Sequence, residues 1–400
     1  MADARTPDAP REVWITGIGI VSCLGEGRDA HEQGLAERRI VVDNKSFAPY
    51  PVHRLAPLDF DKQIPKKGDQ RQMEAWQRIG TYAAGVALAD AGVKGHAELL
   101  ARMDMIVAAG GGERDEAVDS GILANRGKAA KPEAFLNERL MGDLRPTLFL
   151  AQLSNLLAGN ISIVHGVTGS SRTFMGEESA GVEAVRIAFA RIAAGQSNLA
   201  LVGGSYNGER HDLLLLYEAG GHMLHGDYKQ VWERSGGMVL GSLGAFLVLE
   251  ERNHARARGA KPLARLAAVL SERSSRPAGA VTAGLARMWQ RLAPPAAGGG
   301  IAIISGATGA QPATAEELDF LRTLPDVPVR ATGSYIGHGL EPQFGMNIAL
   351  ATLALGRGKL FPAAPTGGIE REYHGPLDRV AVTAVGHWRG EGLALIERVP

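Results

Sequence analysis

Gly166-Val-Thr-Gly-Ser-Ser-Arg-Thr-Phe-Met-Gly-Glu-Glu-Ser-Ala-Gly181 is the stretch on which the reading of this chain turns. Its glycines precede a pair of carboxylates, and it leads into an Ala-rich run, Ser179 to Ala194, that reads as a long helix stopped by Gly195. A tight turn into a helix delivers one side chain to the helix N-terminus. A carboxylate there is favoured by the macrodipole and the unpaired amides, by about 0.3–2 kcal/mol. Glu178 falls at that place. Glu177 is its neighbour, and two carboxylates in a buried turn would raise one pKa unless one points away. Beyond the helix, Leu199-Ala-Leu-Val202 reads as a central strand ending in Gly203-Gly204.

The 400 residues suffice for two domains or one large fused pair. The chain is 45% hydrophobic and 22% charged, so it can bury a sizeable core. Lys plus Arg equals Asp plus Glu, at 43 each, which gives no general electrostatic attraction to nucleic acid or an anionic membrane. A single cysteine, Cys23, allows no intramolecular disulfide, so a cytoplasmic setting is expected. Residues 1–10 are polar and Ala/Pro-rich, are expected to be a disordered tail, and lack the apolar run of a signal peptide. No apolar run approaches the ~20 residues of a membrane span.

Working outward, Val13 to Ser22 reads as a buried strand ending in a glycine turn. Its Gly17-x-Gly19 lacks the third glycine and the following acid of a dinucleotide site. Trp76, Ile79, Ala83, Val86 and Ala87 fall on one helical face. Met103 to Ala109 reads as a strand running into Gly110-Gly111-Gly112, Leu150 to Gly159 as a helix ending at Gly159, and Gly244 to Glu250 as another strand. After a Pro/Ala/Gly loop at 294–300 come the strand Ile301–Ile304, a small-residue helix over Met346–Leu355, and two paired strands, Val380–Thr383 and Leu393–Ile396. Strands alternating with helices predict an α/β fold. His165, His211, His222, His225, His374 and His387 read as solvated or core histidines, and the His222/His225 pair lacks the acids of a metal motif.

These strings resemble the elongating β-ketoacyl-acyl-carrier-protein synthases. In that family the turn runs Gly-Leu-x-Gly-Pro-x-x-x-x-Ser-Thr-Ala-Cys-Ala-Ser-Gly. It aligns without a gap, and the nucleophilic cysteine falls on Glu178. The opening strand resembles the family's Val-x-Val-Thr-Gly-x-Gly-x-Val-Ser-Pro-x-Gly, with Cys23 in the proline's place as an inert core residue. The resemblance covers roughly residues 11–399. It implies a thiolase-type fold of two βαβαβαββ halves, 11–254 and 255–400, stacked in five αβαβα layers and forming a dimer.

The family's condensation needs a cysteine, two histidines, a lysine and an oxyanion hole of two amides. By the resemblance, the first histidine falls on Gly306, with the family's following acid on Glu317. The lysine falls on Gly333 and the second histidine on His338, in Gly333-Ser-Tyr-Ile-Gly-His338. In the final loop, Val385 to Gly392, the phenylalanine that gates the acyl pocket falls on Gly386. One catalytic side chain of four therefore remains. A carboxylate at Glu178 is a weak nucleophile toward a thioester, a mixed anhydride is a poor resting intermediate, and Ser179 has no base beside it.

The resemblance thus implies a chain-length-factor type of subunit, although in that group the cysteine is typically glutamine. Such a chain pairs with an active ketosynthase, or with itself, and shapes the acyl tunnel. Phe174, Met175 and Phe344 would close the tunnel while Gly333 and Gly386 leave room. An acidic acyl carrier protein would dock on Lys62, Lys66, Lys67 and Arg71. The alternative is a divergent acyl-thioester enzyme, such as a malonyl decarboxylase using Glu178 and His338 as an acid/base pair. Neither reading calls for a cofactor or a metal.

Overall fold

Val13–Ser22 is buried at every residue and forms β1, near the middle of one large mixed sheet. The computed structural model describes residues 10–292, 300–365 and 368–399. Among these, the other strands of three or more residues are β2 (Asp104–Ala108), β3 (Ser171–Phe174), β4 (Leu199–Tyr206), β5 (Leu243–Glu251), β6 (Ala264–Glu272), β7 (Ile301–Ser305), β8 (Val329–Ala331), β9 (Arg379–Val385) and β10 (Glu391–Glu397). They lie in the order β3-β2-β4-β5-β1-β6-β10-β9-β7-β8. From each edge inward the order is third, second, fourth, fifth, first strand of its own half. Pairing directions repeat too. In the first half, β2 is parallel to β3 and β4, and β5 is antiparallel to β4 and β1. In the second, β7 is parallel to β8 and β9, and β10 is antiparallel to β9 and β6. Within the large sheet the two halves are joined by the short antiparallel contact of Val13–Ile15 with Ala264–Leu266.

The helices that matter here are α1 (Ala75–Asp90), α2 (Leu156–His165), α3 (Glu177–Ala193), α4 (His211–Ala219), α5 (Ala280–Leu292), α6 (Ala313–Arg322) and α7 (Gln343–Arg357). Val182, Val185 and Ile192 of α3 share one core with Ile348, Leu350 and Leu355 of α7 and residues of both half-sheets. Helix α7 is apolar nearly all round because it is covered on all sides. Trp76, Tyr82 and Leu157 of α1 and α2 pack with strands of the first half, and Val281, Met288 and Phe320 of α5 and α6 with strands of the second. The result is helix, sheet, helix, sheet, helix.

Helix α1 lies against β1 at backbone distance. A Cβ on Gly19 would run into the carbonyl of Ala83 and the backbone of Ala87, and one on Gly17 into Ala87 and Ala91. The glycine pair thus serves helix–strand approach. Two boundaries differ from the sequence reading. The helix expected over Leu150–Gly159 instead starts at Leu156, after a separate short helix Leu148–Ala151, runs through Gly159 to His165 and ends on Gly166 in the left-handed conformation, because a glycine inside a packed helix costs only about 1 kcal/mol. The strand expected to end at Gly203-Gly204 continues to Tyr206. The 1–10 tail (Pro10 apart) and the 294–300 loop (Gly300 apart) lie outside the described residues. Among the described residues no helix is long and apolar enough to cross a membrane.

Gly19→Ala is expected to destabilise the chain by about 1–3 kcal/mol through overpacking. Gly121→Ala, on a helix position with nothing in the way, should be neutral or stabilising by about 0.5–1 kcal/mol. Denaturant unfolding of the two variants checks the contrast.

Candidate active site

The turn from β3 into α3 is strained. Gly176 has φ +130° and Glu177 has φ +58°, a left-handed conformation uncommon outside glycine. The turn buries Glu178 in the first turn of α3, where it is 3% exposed. Its Oε1 accepts a hydrogen bond from His338 Nε2 at 2.8 Å and one from the backbone N–H of His387 at 3.1 Å. His387 Nδ1 lies 3.1 and 3.2 Å from the two carboxylate oxygens. Both histidines are buried as deeply as the glutamate.

Each partner is held in turn. His338 follows Gly337, whose φ +71° and ψ −165° belong to a region open essentially to glycine alone. The His338 backbone is pinned on both sides, its N–H donating to Val239 at 2.8 Å and its carbonyl accepting from Gly241 at 3.0 Å. His387 sits in a loop closed by Gly386 N–H on the carbonyl of Gly390 at 2.9 Å, with Arg276 donating to the Gly386 carbonyl at 2.8 Å. Its ring meets Tyr217 and His222 edge-on at 5.3 and 4.8 Å. Outside it, the Trp388 indole donates to Glu177 Oε2 at 2.6 Å. The two elbow carboxylates thus clasp successive residues of the final loop.

Burial alone would push the Glu178 carboxyl up. The charge of His387 and the hydrogen bonds from both histidines overcome it and hold the group well below the usual carboxylate range. Burial would likewise depress His387, but the charge and hydrogen bond of Glu178 raise it above its ordinary value. Glu178 is therefore an ionised acceptor whose donors are already in place, which suits neither a nucleophile nor a proton donor. The Ser179 hydroxyl donates to the Gly176 carbonyl at 2.7 Å. Glu177, Glu178 and His387 bring ligand-type atoms within 4.8 Å of one another, with His387 Nδ1 already bonded to Glu178.

The other residues singled out from sequence fare unevenly. A Cβ on Gly306 would lie 2.5 Å from the Thr383 carbonyl, so strand β9 fills the place where a larger side chain would start. Gly333 and Gly386, expected to leave room, do not. A Cβ on Gly333 would meet Ala307 O at 3.1 Å and Val231 at 3.2 Å, and one on Gly386 would strike the Arg389 carbonyl. Phe344 is buried in the inter-sheet core and Phe174 packs against the same cluster, so neither borders the open cavity beside the elbow. Met175 does border it, 67% exposed. Lys62, Lys66, Lys67 and Arg71 are all exposed, but Lys67 pairs with Asp61 at 2.5 Å and Lys62 with Glu26 at 3.6 Å. Cys23 is buried, which pushes its thiol up to about 12. His387, which reads from sequence as a solvated or core histidine, is the residue that sequence missed. Only its glycine-flanked loop, in the place of a catalytic one, pointed to it.

A family model described as "Beta-ketoacyl synthase, N-terminal domain" matches residues 10–255. The chain is 28% identical over 267 residues to the 3-oxoacyl-[acyl-carrier-protein] synthase 2 of Vibrio harveyi, across 64% of this chain and 61% of that one, so the match spans about three fifths of the relative. It is 27% identical over 408 residues to the tetracenomycin polyketide synthase ketoacyl synthase beta subunit of Streptomyces glaucescens, across 96% of this chain and 97% of the relative. The solved ishigamide ketosynthase/chain length factor superposes with a TM-score of 0.79 at 18% identity, over 98% of this chain and 100% of that one. The architecture is therefore the thiolase-type fold of the ketosynthases. With the elbow, the repeated halves and the match over residues 10–255 in agreement, this chain belongs to the beta-ketoacyl synthase family.

Proposed function

We propose that this chain is a ketosynthase-like subunit that does not condense on its own, and that it pairs with an active ketosynthase and helps set the length of the chain the pair builds. The state of Glu178 carries this reading. A carboxylate replaces the nucleophile, and its buried donors engage it fully. Glu178 acts as a plug that ties the elbow to the final loop. The decarboxylase alternative would need Glu178 and His338 to open to substrate, and both are 3% exposed.

The sheet edges support a partner. The β8 edge is covered: its residues are buried, and the Ala331 N–H donates to Glu370 at 2.8 Å. The β3 edge carries exposed or half-buried residues and has no outer strand among the described residues. An open edge is a template for another chain. Leu123, Met141, Phe149, Ile163 and Met175, all in the 116–175 region that leads to and leaves this strand, are 67–80% exposed. Large apolar side chains left in water in this number mark interaction surfaces. The ketoacyl synthase beta subunit and the ketosynthase/chain length factor among its relatives fit the same reading. Lys66 and Arg71 are the cations we assign to carrier-protein docking.

The purified chain, offered acyl- and malonyl-carrier protein, should show no acyl mass shift and no ketoacyl product. Glu178→Cys alone should not restore turnover, because Gly306 and Gly333 still supply no side chain; substantial product from that variant refutes the plug. In a reconstituted pair, Met175→Trp should shorten the product and Met175→Ala lengthen it, with initial condensation largely unchanged. Loss of pairing with every ketosynthase tested, or product lengths blind to Met175, removes the partner reading.

The plug also predicts a pH signature. The depressed Glu178 stabilises the fold above its unfolded value of about 4.3 and ceases to as pH falls. The raised His387 stabilises it below its unfolded value of about 6.5, and that contribution is lost as pH rises through its folded value. Both act together between roughly pH 4.5 and 6.5. There Glu178→Gln should cost about 3 kcal/mol, as removal of one partner of a buried pair does, with the gap to the parent narrowing on either side. Urea unfolding across that range measures it; a gap that does not change with pH contradicts the assignment.

A further inference from the structure

The acids that the His222/His225 pair lacks in the sequence are supplied by the fold. His387 Nδ1 lies 3.1 and 3.2 Å from the two carboxylate oxygens of Glu178. An ionised carboxylate only accepts, so the ring carries a hydrogen on Nδ1, and Nε2 is the nitrogen turned toward other partners. Nε2 lies 3.8 Å from Glu177 Oε1, too far for a hydrogen bond. Two ligands held about 2.0–2.2 Å from one ion stand roughly 3–4 Å apart. The other oxygen of Glu177, Oε2, accepts from the Trp388 indole at 2.6 Å, which fixes the carboxylate with Oε1 toward His387. The ring of His222 stands edge-on to that of His387, with centroids 4.8 Å apart. Glu177 also borders the cavity of about 360 Å³ beside the elbow, which gives an ion a path inward.

We infer that Glu177, His387 and His222 form a site for a divalent transition-metal ion such as Zn2+, with His387 Nε2 and Glu177 Oε1 as two ligands, His222 as the third and water in the remaining position. Glu178 then holds the Nδ1 hydrogen of the liganding ring. This carboxylate–histidine–metal arrangement sets the tautomer and orientation of the imidazole, so Glu178 is a positioning residue for the ion. Two imidazole nitrogens and one carboxylate suit zinc and its neighbours, whereas Mg2+ and Ca2+ take oxygen ligands. Glu177 and Glu178 bring two carboxylates to the ion. Arg276, the cation that acts on His387, is drawn off by Glu391 at 3.0 Å. The ion joins the start of α3, in the first half, to the final loop of the second, on the outer side of the plug. The inference uses the Glu178–His387 contact of the plug and needs no partner subunit.

Calorimetric titration of the EDTA-stripped, dialysed full chain with zinc chloride tests it, with the visible absorption of bound Co2+ as a second readout. One Zn2+ per chain should bind saturably, and millimolar Mg2+ should not compete. Glu177→Gln and His222→Ala should each weaken Zn2+ binding at least about 10-fold and remove the Co2+ band, and Trp388→Phe, which frees the Glu177 carboxylate without removing a ligand, should weaken it roughly 10-fold. His211→Ala and His225→Ala, at the exposed histidine–glutamate pairs of 2.8 and 2.6 Å, should change nothing. Glu177 and His222 are both partly exposed, and thermal melts establish that their variants are folded. No saturable Zn2+ binding to the parent, unchanged affinity in folded Glu177→Gln, or loss of binding in His211→Ala or His225→Ala instead would each overturn the assignment. The plug is read by urea unfolding in EDTA, with no ion present, so either reading can fail without the other.

Discussion

The site is organised around one carboxylate. Glu178 gathers a ring N–H from His338 and both a ring and a backbone N–H from His387, at the N-terminus of the helix that runs between the two half-sheets. Three segments far apart in the chain meet there: the elbow, the Gly337-His338 turn and the loop at 386–390. Charge-assisted hydrogen bonds in a buried setting are strong, and a partner removed leaves an uncompensated charge behind. The same contact that closes the site therefore fixes the second half's loops against the first half's central helix. The place is shut from within, with Glu178, His338 and His387 all buried.

The proposed loss of the catalytic set is physically coherent. A lone substitution of the nucleophile would leave histidines and a lysine with nothing to serve. Here the position matched to the first histidine is a glycine packed against Thr383, and the position matched to the lysine is a glycine hemmed by Ala307 and Val231. His338 has a structural partner in Glu178, and His387 supplies the second ring. Glu177 extends the clasp outward through the Trp388 indole. The turn into α3 keeps a strained φ at Glu177 beneath this clasp.

The fold was legible because its signals are local. Apolar runs bounded by glycines gave most strands, and the ungapped turn at 166–181 gave the start of α3. What failed was context. Gly159 looks like a helix stop, yet packing carries α2 through it to Gly166. The repeat of the two halves appears only as strand order and direction, since sheet topology constrains backbone and burial and leaves residue identities free. Met175 could be placed beside the site but not Phe344, because an aromatic on an apolar helix is equally at home in a core or a tunnel wall. His387 was hidden for a related reason: its loop no longer carries a recognisable motif, and only the folded chain brings 387 to 178.

Three buried glutamates show why geometry, and not burial alone, decides what each can do. Glu317 is fully enclosed and raised by burial, although the hydroxyls of Thr383 and Ser305 donate to it. Glu341 is enclosed too, but it faces two other carboxylates and keeps one oxygen unpaired, so it holds a proton to about pH 7. Glu178 suffers the same desolvation and ends ionised, because two imidazoles and a backbone amide point at it. Hydroxyl donors trim the effect of burial, neighbouring carboxylates enlarge it, and the charge of His387 with the donors around Glu178 reverses it. The chain thus holds an anion at the start of α3 and a protonated acid nearby. The first ties the central helix of one half to the loops of the other.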